Sequence, residues 1–150
     1  MEPDDLGEYR EEVRTDSFLV AHAEERVPHT LDRKHEMMEL DATLPEVNHG
    51  RLLGIVEYLQ ERGVCVVLYT PPFYWRYREL YKAERSLGEM NHLARRFGKE
   101  MDIPWFDYSG HPMADEPRWF LDSDHLNNQG RRLLTKLIMN EVDQRCFPWS

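Results

Sequence analysis

The sequence predicts an α/β fold in which parallel strands alternate with helices. From residue 52 onward, helical and strand-like patterns follow one another along the chain. Val64–Tyr69 is a continuous apolar run rich in β-branched residues, which is typical of a parallel strand covered on both faces. The last part of the chain repeats leucine and isoleucine at helical spacing. Such alternation favours right-handed crossovers and a layered sheet.

The N-terminal segment, residues 1–43, is polar and predicts one or two loosely amphipathic helices. Residues 1–12 are rich in acidic side chains, so we expect a solvated, frayed end there. Pro28 is expected to interrupt the helices. The α/β part of the chain then spans residues 44–150.

The first helix of the α/β part carries apolar side chains at helical spacing, namely Leu52, Ile55, Val56 and Leu59. Asn48 is placed to cap the start of this helix, and Gly63 is placed to end it. The apolar strand at 64–69 follows. A second helical stretch is predicted over 74–99, with a break near Gly88.

The second strand is predicted at Ile103–Phe106, and an amphipathic helix closes the chain. Its buried side should hold Leu133, Leu134, Leu137, Ile138 and Val142. Two strands do not make a stable sheet of this class, and residues 1–43 offer no convincing further strand. The predicted domain is therefore partial. Its open sheet edge favours self-association or pairing with a missing N-terminal part.

Composition and charge narrow the classes of partner. The 150 residues carry a net charge of -9, which argues against nucleic-acid binding and against an anionic membrane surface. We find neither a leader-like segment nor an apolar run of about 18 residues, so we expect no membrane span and, taken literally, a cytoplasmic protein. The two cysteines, Cys65 and Cys146, are expected to be reduced thiols.

Candidate functional side chains cluster in the loops that follow the predicted strands. In open α/β sheets ligands bind at the carboxyl ends of strands, which brings together residues 70–75, 107–111 and 122–128. Asp122 and His125 lie one turn of chain apart, just before the last helix. A carboxylate so placed can bind one imidazole nitrogen of His125 and leave the other free as a general base.

The segment Phe120-x-Asp122-x-x-His125-Leu126-Asn127-x-x-Gly130 resembles the C-terminal block of the SGNH (GDSL-type) hydrolases. The similarity covers residues 48–142 and is closest to SGNH-like proteins of bacterial cell-envelope and polysaccharide-modifying systems. It implies a flavodoxin-like, three-layer α/β/α sandwich of which this chain is the C-terminal half. It also implies action on esters, often acetyl esters of sugars, as a hydrolase or O-acyltransferase without cofactor or metal.

The family's nucleophile, a serine in a Gly-Asp-Ser motif after the first strand, has no clear counterpart. Ser17 follows Thr15 and Asp16 and resembles the motif in letters, but the residues before it are charged and cannot form the required strand. Asn48 could match the oxyanion asparagine, although capping explains it. Ser109 and Ser123 are better explained by turn chemistry. The isolated chain is therefore expected to be inactive.

Other readings of the same loops remain open. Tyr74 or Trp75 could form a flat wall for a sugar ring, and Asn127 could contact substrate. Phe73, Tyr77 and Tyr81 are expected to pack in the core, and Arg76 and Arg78 to face solvent. Carboxylate and imidazole groups could bind a cation, namely Asp122, Asp124, His125 and His111. The rival to an esterase is a non-catalytic binding module derived from the same fold.

Overall fold

The computed structural model describes residues 13–146, apart from the side chains at positions 44 and 143–145. The predicted acidic end, residues 1–12, lies outside the described residues. Helices dominate, and a short parallel sheet makes the class mixed α/β, as predicted. The helices are α1 (Asp16–Leu40), α2 (Leu44–Gln60), α3 (Trp75–Ala83), α4 (Ser86–Glu100) and α5 (Asn128–Cys146), and the strands are β1 (Leu68–Thr70) and β2 (Trp105–Asp107). None of the described helices combines the length and apolar character needed to cross a membrane.

Helix α1 is continuous, so the expectation that Pro28 interrupts it is wrong. Thr15 caps its start by accepting a hydrogen bond from the Phe18 backbone N–H at 3.2 Å. Ala23 and Val27 pack against Tyr77 of α3 in a buried cluster. Because this packing continues along the helix, it offsets the backbone hydrogen bond that the proline cannot make.

Helix α2 begins at Leu44, with a proline in its first turn, so Asn48 lies inside the helix and is not its cap. Only part of the predicted face is buried. Val56 packs against Phe97 and Ile103, whereas Leu52 and Ile55 are 42% and 56% exposed. Proline at a helix start explains the early beginning, because its missing N–H costs nothing there.

The sheet is parallel, and Leu68, Tyr69 and Thr70 lie opposite Trp105, Phe106 and Asp107. Strand β1 is shorter than the predicted run at 64–69. Within residues 13–146 its one hydrogen-bonded neighbour is β2, so only the residues opposite β2 form a ladder. The helical stretch at 74–99 breaks at Arg85, which has a positive φ of 60°, and not at Gly88.

The main core lies between α1, the sheet and α5. It contains Leu19, Tyr74, Phe106, Tyr108, Met113, Phe120, Leu126 and Leu134. Leu133, Leu137 and Ile138 pack against it, which confirms the predicted face of α5 except at Val142, which is half-buried and outside this cluster. The aromatic stripe is also internal: Tyr77 is 4% exposed, and its ring centroid lies 5.2 Å from those of Phe73 and Tyr81.

Cys65 and Cys146 form a disulfide, with Cα atoms 6.0 Å apart, so the expectation of reduced thiols is wrong. The pairing follows from topology. The last residue of helix α5 meets the segment that enters β1.

Candidate active site

The three loops predicted to converge do lie together, and we call them the rim (residues 70–75, 107–111 and 122–128). The Tyr108 backbone N–H donates to the Thr70 carbonyl at 3.0 Å, joining the first two segments. The Tyr74 N–H donates to the Ser123 carbonyl at the same distance, joining the first and third. Backbone hydrogen bonds therefore hold the rim together.

The loop from Phe120 to Leu126 is closed by its own backbone. The two end residues pair as an isolated antiparallel bridge, and the Leu121 N–H donates to the His125 carbonyl at 2.9 Å. Phe120 is fully buried and Leu126 is 9% exposed, both in the main core. The apolar residues that flank Asp122 and His125 thus anchor the loop.

Asp122 holds His125 through backbone and side chain. Its Oδ1 accepts from the His125 N–H at 2.8 Å and from the Asp124 N–H at 3.1 Å. Its Oδ1 and Oδ2 lie 2.9 and 3.1 Å from His125 Nδ1. Burial alone would raise the pKa of Asp122, but hydrogen bonds from Asp124 and His125 outweigh it and lower that pKa, so the carboxylate stays charged.

The His125 ring is 60% exposed, and its Nε2 makes no hydrogen bond within residues 13–146. A carboxylate at Nδ1 favours the tautomer with its proton on that nitrogen. Nε2 is then the basic atom of a largely exposed ring. The geometry is that of an oriented general base.

Asn127 does not face a ligand. Its side chain is buried, its Oδ1 accepts from the Gly130 N–H at 2.9 Å, and its Nδ2 donates to the Arg118 carbonyl at 2.7 Å. These bonds cap helix α5 and use the amide group, so a substrate-binding role for Asn127 is wrong.

Tyr74 cannot form a wall for a sugar ring, because it is fully buried edge-on against Phe120. Its hydroxyl donates to the Asp16 carboxylate. Burial and then the hydrogen bond to Asp16 raise the pKa of Tyr74 to about 12. Trp75 is half-buried and donates its indole N–H to Asp16 at 3.2 Å, so its proposed contact with a sugar stays a prediction.

The three candidate serines, Ser17, Ser109 and Ser123, each contact a group other than His125. Ser17 is exposed, and its Oγ lies 3.1 Å from Thr15 Oγ1. On the helix it lies roughly 160° around the axis from buried Leu19, so it is on the side opposite the core. Ser109 Oγ donates to Asp107 at 2.6 Å, and buried Ser123 Oγ lies 2.8 Å from His22 Nδ1. No hydrogen bond in the described structure links any of these serines to His125.

Helix α1 contributes residues that the sequence did not single out. His22 reaches Ser123, and Arg26 Nε lies 3.4 Å from Asp124 Oδ2. Arg14, which precedes the cap of α1, donates from Nε to the Leu121 carbonyl at 3.3 Å, so α1 and the residue before its cap contact the loop. His22 and Arg26 lie at helical spacing from Leu19, and this pattern is the sequence feature that could have indicated them. Their partners are distant in sequence, so the pattern alone does not identify the contacts.

The structure contradicts two further expectations. Arg78 is not solvated: its side chain is 16% exposed, donates to the Ser109 carbonyl at 3.2 Å and pairs with Asp115 at 3.0 Å. His111 and His125, also predicted as cation ligands, are not in the group of possible metal ligands found in residues 13–146; His111 Nδ1 instead accepts from the Met113 N–H at 3.2 Å. The groups that do converge are His22, Asp122 and Asp124, which lie close enough to share a metal ion.

Asp124 is the residue of this loop whose negative charge lowers the stability of the folded state. Burial and the neighbouring charge of Asp122 raise the pKa of Asp124. A carboxyl group with a raised folded-state pKa stabilises the fold below its unfolded pKa, which is 3.8, and loses that contribution as pH rises through the folded value. The charged form of Asp124 therefore destabilises the protein at neutral pH.

Asp124→Asn is accordingly expected to raise the melting temperature at pH 7 in a buffer with EDTA. The gain should shrink as the pH falls toward 4, because protonation of folded Asp124 then removes the cost of its charge in the unchanged chain. Differential scanning fluorimetry from pH 4 to 8 measures this. Exposed Asp32→Asn is the control and should show no such trend. A gain that is independent of pH would contradict the assignment.

Comparison with known proteins identifies no relative, since no protein-family model, curated protein or solved structure matches this chain. The case for function therefore depends on the geometry of the rim and on the resemblance of the Asp122–His125 block.

Proposed function

We propose that the chain carries the general-base half of an SGNH-like ester hydrolase or O-acyltransferase. His125 is the base, and Asp122 orients it. The observation that carries the proposal is the contact of both Asp122 oxygens with Nδ1 of a ring that is otherwise 60% exposed. Nε2 would take the proton of an attacking hydroxyl, and Asp122 would stabilise the imidazolium that forms.

The proposal includes a three-layer, flavodoxin-like sandwich. Two features support it: the parallel pairing of β1 with β2, and the loop that delivers Asp122 and His125 directly before α5. Further strands would pair at an open edge of the sheet. Carbohydrate acetyl esters are the substrate class that the resemblance favours, and Trp75 is the aromatic side chain left to contact a sugar.

We do not assign the nucleophile to Ser17, Ser109 or Ser123, since the hydroxyl of each lies within hydrogen-bond distance of a group other than His125. We therefore expect the isolated chain to be unreactive toward a serine-directed fluorophosphonate and toward p-nitrophenyl acetate. This absence also favours the second candidate function, a non-catalytic binding module that keeps the rim. The two differ in whether a serine after a further strand is supplied to His125.

The test begins with the coding sequence that precedes Met1. If it encodes an apolar strand followed by Gly-Asp-Ser, the longer protein should react with the fluorophosphonate and hydrolyse p-nitrophenyl acetate, and His125→Ala should abolish hydrolysis. His111→Ala, on the same rim, is the matched control and should retain activity. A longer protein that stays inactive, or a reading frame without such a serine, would support the binding module.

A further inference from the structure

We propose that His22, Asp122 and Asp124 form a binding site for a divalent transition-metal ion such as Zn²⁺. One ring nitrogen of His22 and one oxygen from each carboxylate lie within 4.8 Å of one another. The ligands come from two elements, α1 and the loop before α5, which contact each other in a partly buried region. Packing of these two elements thus holds the three donors together.

An independent observation at Asp124 points to a missing ligand. Its Oδ1 is buried and has no hydrogen-bond partner in the described part of the chain. The His125 Nδ1 lies 3.6 Å away, beyond hydrogen-bond distance, and Arg26 contacts the other oxygen, Oδ2. A buried carboxylate oxygen without a partner is costly, and a bound cation is one way to satisfy it.

The donor set selects the class of cation. Imidazole nitrogen with two carboxylate oxygens suits Zn²⁺ or Mn²⁺, whereas Ca²⁺ and Mg²⁺ prefer oxygen ligands alone. Ser123 Oγ, 2.8 Å from His22 Nδ1, fixes the orientation of the ring, as outer partners of metal-binding histidines do. Three protein ligands would leave a coordination position for water. Both cysteines are paired, so no thiolate competes.

The alternative to a metal ion at Asp124 Oδ1 is a proton. Burial and the charge of Asp122 raise the pKa of Asp124, and a carboxyl proton shared with Asp122 would satisfy the same oxygen. The two occupants have opposite consequences for Asp124→Asn. An amide replaces a shared proton without loss, but it removes a metal ligand.

Isothermal titration calorimetry with ZnCl₂ at pH 7, on metal-free protein, separates them. We expect one equivalent of Zn²⁺ to bind. Asp124→Asn and His22→Gln should each weaken binding by at least about ten-fold. Asp124→Glu, which keeps a carboxylate, should bind more tightly than Asp124→Asn. His29→Gln is the matched control, because His29 lines the same cavity as His22 without belonging to the metal group.

Zn²⁺ should also raise the melting temperature of the unchanged chain and of His29→Gln, and raise that of Asp124→Asn much less. Circular dichroism confirms that each variant is folded. Absence of saturable binding, or equal affinity in Asp124→Asn and the unchanged chain, would overturn the proposal and leave the proton as the occupant. Binding is measured without ester hydrolysis, so the result is independent of the proposed enzymatic function.

Discussion

Replacing Gly130 with alanine is expected to lower the free energy of unfolding by about 3 kcal/mol or more. A Cβ atom at this position would lie 2.2 Å from the Trp119 carbonyl oxygen and 3.1 Å from Leu126 Cδ2. The Trp119 carbonyl is backbone and also accepts the Asn127 N–H at 2.9 Å, so it cannot move without loosening the cap of α5. Urea denaturation measures the effect.

Gly88→Ala is the matched control, because Gly88 lies in α4 and a Cβ there meets nothing within 4 Å. That substitution should be neutral or stabilise by up to about 1 kcal/mol, since alanine favours helix more than glycine does. If Gly130→Ala proved as mild as Gly88→Ala, the close approach of α5 to Trp119 would be wrong. The close approach of the Trp119 carbonyl thus explains why a glycine stands at position 130, in the segment that resembles the SGNH hydrolases.

Removing the disulfide is expected to cost about 2–4 kcal/mol. The bond joins residues separated by 81 positions, and so long a loop restricts the unfolded chain strongly. The variant with both Cys65→Ser and Cys146→Ser should have a correspondingly lower free energy of unfolding by urea denaturation.

Dithiothreitol provides the internal control for the disulfide. It should lower the stability of the unchanged chain to that of the double variant and leave the variant unaffected. Equal stability of the oxidised chain and the double variant would contradict the pairing. Disulfides are typical of oxidising compartments, so a confirmed bond would also weigh against the cytoplasmic location expected from the sequence.

The parts of the fold that sequence predicts well are those encoded by local periodicity. The apolar face of α5 and the order of helices and strands after residue 52 follow from short-range patterns. Convergence of the rim follows from one topological rule, since parallel strands place their following loops at the same edge. Asp122 and His125 contact each other because one turn of chain joins them.

One error has a local cause, and the others arise where distant packing decides. Asn48 had a suitable side chain for a cap, but α2 begins at Leu44, next to a proline. Tyr74 follows a strand and is one of two residues predicted as a possible wall for a sugar ring, yet α1 covers it and binds its hydroxyl through Asp16. The contacts of His22 and Arg26 join residues about a hundred positions apart, which no local pattern encodes.

The central claim is that Asp122 holds the proton of neutral His125 on Nδ1 and leaves Nε2 as the base. Long-range ¹H–¹⁵N correlation spectra, recorded at a pH that keeps the ring neutral, report the tautomer directly. We expect the Nδ1–H form of His125 to predominate in the unchanged chain and its fraction to fall in Asp122→Asn. A predominant Nε2–H form in the unchanged chain, or a tautomer ratio unaffected by Asp122→Asn, would contradict the account.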